Sequence, residues 1–295
     1  MASIITDLKE TFRNGNIHVR LIFINAAVFV LTALIGVFLQ LFNMTGIQLF
    51  EWLEMPASVI RFLSQPWSLL TYMFMHAGIL HILFNMLWLY WFGELFLHFF
   101  SAKHLRGLYL LGGFCGGLLY LIAYNVFPYF EPMIPYSYLL GASASVLAIV
   151  AATAYREPNY PIQLLLIGSM KLKHVAWLVI GLDLLFITSS NAGGHIAHLG
   201  GALAGLVFAA QLNKGHDWTH YINLALDTIL SLFNRQPRKP KMKVNYGKRQ
   251  SDYDYNARKK AQNEEIDRIL DKLRKSGYES LTAEEKKSLF DASKR

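Results

Sequence analysis

Two serines near the start of an apolar segment are the residues best suited to chemistry in this sequence. Ser143 and Ser145 lie in a run from Leu139 to Tyr155 that is long enough to cross a bilayer. The residues around them are small, which lets another helix or a substrate backbone come close: Gly141, Ala142, Ala144 and Ala148. A serine on a membrane helix more often returns its hydroxyl to a carbonyl of the preceding turn. The serines alone therefore do not indicate catalysis.

A second apolar segment supplies the base that a serine nucleophile needs. His195 and His198 open it, and a serine and a histidine at matching depth on two spanning helices can act as nucleophile and general base. His81 and Asn85 are four residues apart and share one helix face, where they can donate hydrogen bonds to a developing oxyanion. No acidic residue is expected near this set, so the sequence predicts a Ser–His dyad rather than a triad.

The composition indicates a polytopic membrane protein, with 54% hydrophobic and 14% aromatic residues among 295. The loop after the first span, Asn43 to Pro66, is expected to be a structured segment at the outer interface, with Trp52 and Trp67 as anchors. Six apolar segments are long enough to be considered as membrane spans. The predicted spans are Leu21–Phe42, a segment within Ser68–Phe100, Leu108–Phe127, Leu139–Tyr155, His174–Ser189 and His195–Leu212. The fold class expected is all-α, a six-helix membrane core with a small helical tail.

The charges give this layout an orientation. The two termini and the connections after the second and fourth spans hold every Lys and Arg except Arg61. Basic residues concentrate on the cytoplasmic side of membranes, so both termini are predicted to be cytoplasmic, with Ser143 and His198 towards the outer side.

Four regions follow from these patterns: a cytoplasmic segment (1–20), a six-helix core (21–212), an interfacial helix with a basic linker (213–262) and a helical hairpin (263–295). Within the hairpin, Thr282 and Glu285 have the spacing of a helix capping box. The net charge of +8 comes from basic residues gathered near the C-terminal end, where anionic lipid is the expected partner and nucleic acid is not.

Other kinds of site are disfavoured. Several histidines also suit a metal, but the sequence has no His-Glu-x-x-His helix and no cysteine cluster, so no metal is predicted. Cys115 is the only cysteine and fits a packing position. No cofactor is implied.

The motifs together resemble the rhomboid family of intramembrane serine proteases. The resemblance is carried by His76-(x4)-His81-(x3)-Asn85, Gly141-Ala142-Ser143 and Ala197-His198-(x2)-Gly201-(x3)-Gly205, in that order, and covers roughly Leu21 to Leu212. It implies Ser143 as nucleophile, His198 as base, an oxyanion hole formed by His81, Asn85 and the Ser143 backbone N–H, and Gly201 and Gly205 as the residues that let the base approach. The tail, Asp267 to Ser293, is similar to a short extension of some bacterial members, especially in Bacteroidetes.

Three positions depart from the family pattern. The residue after the nucleophile is Ala144 rather than glycine, and Leu147 stands where an aromatic residue often stacks on the catalytic histidine. The Trp-Arg pair of some first loops is Trp67-Ser68 here. Ser145 with His195 is the alternative nucleophile and base, disfavoured because Ser143 and His198 satisfy both spacings together.

The function expected is cleavage of single-pass membrane proteins in or near their transmembrane segments, in a bacterial inner membrane. A substrate helix must unwind before its peptide bond can be attacked, so helix-destabilising residues are expected in substrates. The alternative is a non-proteolytic relative that binds transmembrane clients. A small-molecule transporter is disfavoured, because no pair of helices is interrupted at mid-membrane in the repeated manner of such folds.

Overall fold

The computed structural model describes residues 2–44, 49–164, 168–233 and 252–293. They belong to two compact units, which divide between Asn234 and Arg235. The first unit contains eleven described α-helices. Their bounds are α1 Ala2–Asn14, α2 Ile17–Leu41, α3 Leu49–Leu53, α4 Val59–Ser64, α5 Ser68–Thr71, α6 Ile79–Phe99, α7 Ala102–Val126, α8 Ser143–Arg156, α9 Leu172–Leu185, α10 Ala192–Leu212 and α11 Thr219–Phe233.

The protein is a polytopic helical membrane protein, as the composition predicts. Of the helices that the structure describes, four, α2, α6, α7 and α10, are long and apolar enough to cross a membrane. The other two predicted spans are shorter than expected: α8 and α9 have 14 residues each, about 21 Å of helix against a hydrocarbon core of about 30 Å. Every residue of α8 from Ala144 to Ala154 is buried. It lies inside the bundle, where other helices rather than lipid surround it.

Two short antiparallel strand pairs complete the first unit. In the first, β1 (Met55–Pro56) pairs with β2 (Tyr138–Leu139). In the second, β3 (Pro161–Leu164) and β4 (Gly168–Lys171) form a hairpin between α8 and α9.

The described part of the first loop, residues 49–66, is ordered by its own contacts, as the sequence predicts. The Trp52 and Trp67 rings stack with centroids 5.9 Å apart, and the Trp67 indole donates to the Trp52 carbonyl at 2.9 Å. One carboxylate oxygen of Glu51 accepts from Arg61 at 2.6 Å and from the Tyr138 hydroxyl at 2.8 Å. Because Tyr138 belongs to β2, the loop is fastened to the segment that leads into α8.

A half-buried carboxyl in this loop, that of Glu54, gives the stability of the protein a pH dependence. Burial, together with the nearby Glu51, raises the pKa of Glu54 from 4.5 to about 7. Between these values the folded state binds more protons than the unfolded state, so stability falls as the pH rises from about 5 to about 7.

The Glu54→Gln variant is therefore expected to melt at a higher temperature than the wild type at about pH 8, with the difference disappearing near pH 5. At about pH 8 the free energy of unfolding of the variant is expected to exceed that of the wild type by about 1–2 kcal/mol, after allowance for partial solvent screening. Melting of the detergent-solubilised protein across this pH range measures it, and Glu131→Gln, at an exposed carboxylate, is the control. An equal shift at both pH values would contradict the assignment.

The amphipathic segment after the core forms the predicted helix, α11, and packs on the start of α7. The Arg106 guanidinium donates to Asn223 at 2.7 Å and pairs with Asp227 at 2.8 Å. Asn223 also donates to the Lys103 carbonyl at 2.9 Å. A broad row of apolar side chains remains exposed on α11, including Tyr221 and Leu224, which suits a helix at a membrane surface.

The second unit contains the predicted helical hairpin, α12 (Asp252–Ser276) and α13 (Ala283–Ser293). Its first helix begins eleven residues before the predicted Asn263, since the polar, charged start of α12 gave no apolar periodicity. The capping box is confirmed: the Thr282 N–H donates to Glu285 at 2.8 Å, and the Glu285 N–H donates to the Thr282 hydroxyl at 3.3 Å. Lys272 of α12 pairs with Glu285 at 2.9 Å.

Candidate active site

The helices α7, α8 and α10 meet without large side chains between them. This close contact determines where the residues of the site lie. A Cβ on Gly201 of α10 would overlap the carbonyl oxygen of Ala144 in α8, and one on Gly205 would overlap that of Ala148. A Cβ on Gly116 of α7 would come within 2.6 Å of the Ala144 side chain. Hydrogen at these glycines therefore allows the backbones to approach closely. Since Gly201 lies against the residue after Ser143, His198, one turn earlier in α10, is brought to the first turn of α8.

Ser143 is the first residue of α8 rather than a residue within a longer span. The predicted start at Leu139 is wrong: Tyr138–Leu139 is a strand, Gly141 has φ +126°, and its N–H donates to the Tyr72 carbonyl at 2.9 Å. This backbone conformation is one that L side chains rarely adopt, so the chain can turn into the helix only with glycine here. The first amides of a helix have no partner within it, so the Ser143 N–H is available to an oxyanion.

Ser143, Asn85 and His198 line one cavity of about 200 Å³. The rest of its wall is apolar: Phe84, Trp88, Val146, Leu147 and Val179. The helices α6, α8, α9 and α10 all contribute to this cavity. Because most of this wall is apolar, hydrogen bonds and charges within the cavity act more strongly than they do in water.

His81 and Asn85 lie on the first turns of α6, towards the start of α8. The His81 Nδ1 accepts from the Ala77 N–H at 3.3 Å, so Nε2 carries the hydrogen of the neutral ring. A Cβ added to Gly141 would lie 2.9 Å from this Nε2 and 3.6 Å from the Ser143 hydroxyl oxygen. Both atoms therefore border the space beside Gly141. Asn85 donates one amide hydrogen to the His81 carbonyl at 2.8 Å and has a second to offer. The pair can present N–H donors beside Ser143.

His76 lies before α6, in the segment that follows a short 3-10 helix. Its ring centroid is 5.1 Å from that of His81. Burial and the His81 ring lower the pKa of His76 to about 4, although the hydrogen bond with the Phe74 carbonyl acts in the opposite direction. His76 is therefore neutral near pH 7 and packs against the ring of His81.

The expectation that no acidic residue lies near the histidines is wrong. The Asp183 Oδ1 is 2.9 Å from the His198 Nδ1 and 2.8 Å from the His195 Nδ1. Ser189, in the turn that joins α9 to α10, is six residues from both Asp183 and His195. In an antiparallel helix pair, equal distance from the turn brings residues to the same level. This symmetry was the sequence signal that could have identified Asp183.

The alternative pair has a different environment. Ser145 is fully buried, and its hydroxyl oxygen has no hydrogen-bond partner among the described residues. It is not among the residues that line the cavity, whereas Ser143 is. His195 is held by Asp183, three residues from His198. The geometry therefore favours Ser143 over Ser145 as the accessible hydroxyl.

Within the described part of the chain, one cluster has the donor atoms for a metal, namely Asp183, His195 and His198, whose ligand atoms lie within 4.8 Å of one another. Both ring nitrogens already lie at hydrogen-bond distance from the carboxylate. A cation would have to replace these hydrogen bonds and would bind the Nδ1 of His198.

The fold is that of a helical membrane protein. Among its apolar side chains it brings together a serine, a histidine that is hydrogen-bonded to a carboxylate, and two side chains that can donate hydrogen bonds. Residues 63–214, just over half of the chain, match the Rhomboid domain family. The chain therefore belongs to the rhomboid family. Residues 250–295 match a separate family of unknown function, DUF6576.

Two similar proteins come from Arabidopsis thaliana. The first, RHOMBOID-like protein 12, mitochondrial, is 33% identical over 165 residues, covering 50% of this chain and 47% of that protein. The second, RHOMBOID-like protein 7, is 28% identical over 178 residues, covering 56% of this chain and 50% of that protein. The chain thus spans about half the length of these curated relatives.

Proposed function

We propose that this protein is an intramembrane serine endopeptidase that cleaves the transmembrane segments of single-pass membrane proteins. The observation that carries the proposal is the shared cavity of Ser143, His198 and Asn85 within an apolar helix bundle. Family membership supports it.

In the proposed reaction, the His198 Nε2 takes the proton of the Ser143 hydroxyl as that oxygen attacks the scissile carbonyl. The resulting oxyanion accepts hydrogen bonds from the Ser143 N–H, the His81 Nε2–H and the free amide hydrogen of Asn85. His198 then gives its proton to the leaving amine. A water molecule, deprotonated by the same ring, hydrolyses the acyl-enzyme and frees Ser143.

The apolar wall of the cavity suits a substrate that arrives from the bilayer. A helical peptide bond is shielded by its own hydrogen bonds, so cleavage requires a substrate segment that unwinds at low cost. Glycine or proline near the scissile bond supplies this property.

We also propose that both termini face the cytoplasm of a bacterial inner membrane. The basic residues of the predicted inner connections support the orientation, among them Arg106 and Arg156. The bacterial location is supported by the resemblance of the helical tail to extensions of bacterial members.

The test is cleavage in liposomes. Purified full-length protein is reconstituted with a single-pass reporter whose transmembrane segment contains a Gly-Pro pair, and with a matched reporter that has Leu-Leu there. The wild type is expected to cleave the Gly-Pro reporter at a defined bond and the Leu-Leu reporter far more slowly, whereas Ser143→Ala cleaves neither. Equal cleavage by wild type and Ser143→Ala would overturn the proposal.

One observation favours the non-proteolytic alternative, in which the cavity binds transmembrane clients. Leu147 lines the cavity beside His198 and provides no aromatic face for the ring. A folded wild type that co-purifies with a Gly-Pro reporter, leaves it uncleaved and binds it equally as Ser143→Ala would establish this alternative.

A further inference from the structure

We infer that Asp183 is a positioning residue, which fixes the orientation and tautomer of the His198 ring and so makes that ring a competent base. The inference rests on the proposed protease function. It replaces the expected Ser–His dyad with a three-residue arrangement in which a carboxylate from α9 supports the base on α10.

The placement of Asp183 supports this role. It is 4% exposed and lies near the end of α9. An ionised carboxylate withdrawn from water is costly unless charged partners or hydrogen bonds compensate. Here compensation comes from two imidazole N–H groups, both directed at Oδ1, while Oδ2 is buried without a hydrogen-bond partner among the described residues. The carboxylate is therefore held from one side, by the histidines.

The hydrogen bond to Asp183 fixes the tautomer of the His198 ring. A carboxylate only accepts, so the His198 Nδ1 must carry the hydrogen. The lone pair of a neutral ring is then on Nε2, the nitrogen free to take a proton from Ser143. When His198 becomes an imidazolium during the reaction, the adjacent negative charge stabilises it.

The surroundings of His198 leave the orientation of its ring to Asp183. Leu147 contributes only van der Waals contact to this cavity, so the bond to Asp183 is the polar contact that defines the plane of the ring. His195 provides the second hydrogen bond to Asp183 and thereby holds the carboxylate in place. Among the described residues, His198 interacts with the titratable groups Asp183 of α9 and His81 of α6. His195 of α10 shares the Asp183 carboxylate.

The test compares Asp183→Asn with the wild type in the liposome cleavage assay. Asparagine keeps the size and the accepting oxygen but lacks the charge. We expect kcat to fall by roughly 10²- to 10⁴-fold, with KM unchanged, because the contribution is made to the base and not to substrate binding. Asp227→Asn, at a half-exposed carboxylate of α11, is the matched control and keeps wild-type activity.

The pH profile separates positioning from a purely structural role. The carboxylate charge stabilises the imidazolium form of His198, so the acid limb of kcat is expected to move to lower pH when this charge is absent in Asp183→Asn. A residue that only anchors α9 to α10 would change the melting temperature and leave this limb in place. Melting of the detergent-solubilised variant, expected to be close to wild type, is the check on folding.

Two outcomes are kept apart by the design. If the wild type cleaves, Ser143→Ala does not, and Asp183→Asn retains the wild-type kcat and pH profile, the positioning role is overturned and the protease function stands. If the folded wild type cleaves no reporter, the protease function fails, and the positioning role fails with it.

Discussion

Cleavage is expected to fall by roughly 10⁴- to 10⁶-fold in Ser143→Ala, and His198→Ala is expected to cost about as much. The two groups act in one step, since the proton leaves the serine as its oxygen attacks. Removal of either therefore removes the same contribution, and the double variant should be no slower than the slower single variant. Initial rates of product formation from the Gly-Pro reporter, for the wild type and the three variants, measure this.

Melting of each variant in detergent is the control for folding, and Ser145→Ala is the matched control for loss of a hydroxyl on the same helix. Losses that multiply in the double variant would show that Ser143 and His198 act independently. Activity of Ser143→Ala within about tenfold of the wild type would exclude Ser143 as the nucleophile.

Gly201→Ala is expected to lower kcat by about 10²-fold, although the substitution adds one methyl group away from the chemistry. The new Cβ would overlap the Ala144 carbonyl oxygen, which is backbone and cannot rotate away. The helices α8 and α10 must then move apart, and a displacement of about 1 Å between nucleophile and base is enough for a loss of this size. A destabilisation of about 1–3 kcal/mol is expected from the overpacking.

Gly181→Ala is the matched control, since Gly181 is also a helical glycine and a Cβ there meets nothing within 4 Å. It is expected to keep wild-type activity and to melt slightly higher, as glycine in a helix interior is less stable than alanine. Wild-type kcat in Gly201→Ala would show that the close contact of α8 and α10 does not set the distance between Ser143 and His198.

The long apolar helices could be predicted from the sequence because their signal is local. A run such as Ile17–Leu41 contains enough apolar residues to identify itself. The start of α8 could not be predicted in this way. Leu139 and Leu140 are as apolar as the helix that follows, and only the pairing of β2 with β1 and the turn at Gly141 separate them from it.

The small residues Gly201 and Gly205 indicated a close helix contact, and the structure shows which backbone each one meets. The role of Asp183 required a longer-range inference. A carboxylate in an apolar run indicates that a partner is needed, but the partner lies on the next helix and is recognised only when the two segments are aligned about Ser189.

Reaction with a fluorophosphonate probe, which forms a covalent bond only with an activated serine, tests the central claim most directly. Detergent-solubilised wild type, Ser143→Ala, Ser145→Ala and His198→Ala are treated in parallel, and the labelled peptide is mapped by mass spectrometry. We predict one label on Ser143, retained in Ser145→Ala and lost in Ser143→Ala and His198→Ala. Labelling that persists in Ser143→Ala, or a folded wild type that takes up no probe, would contradict it.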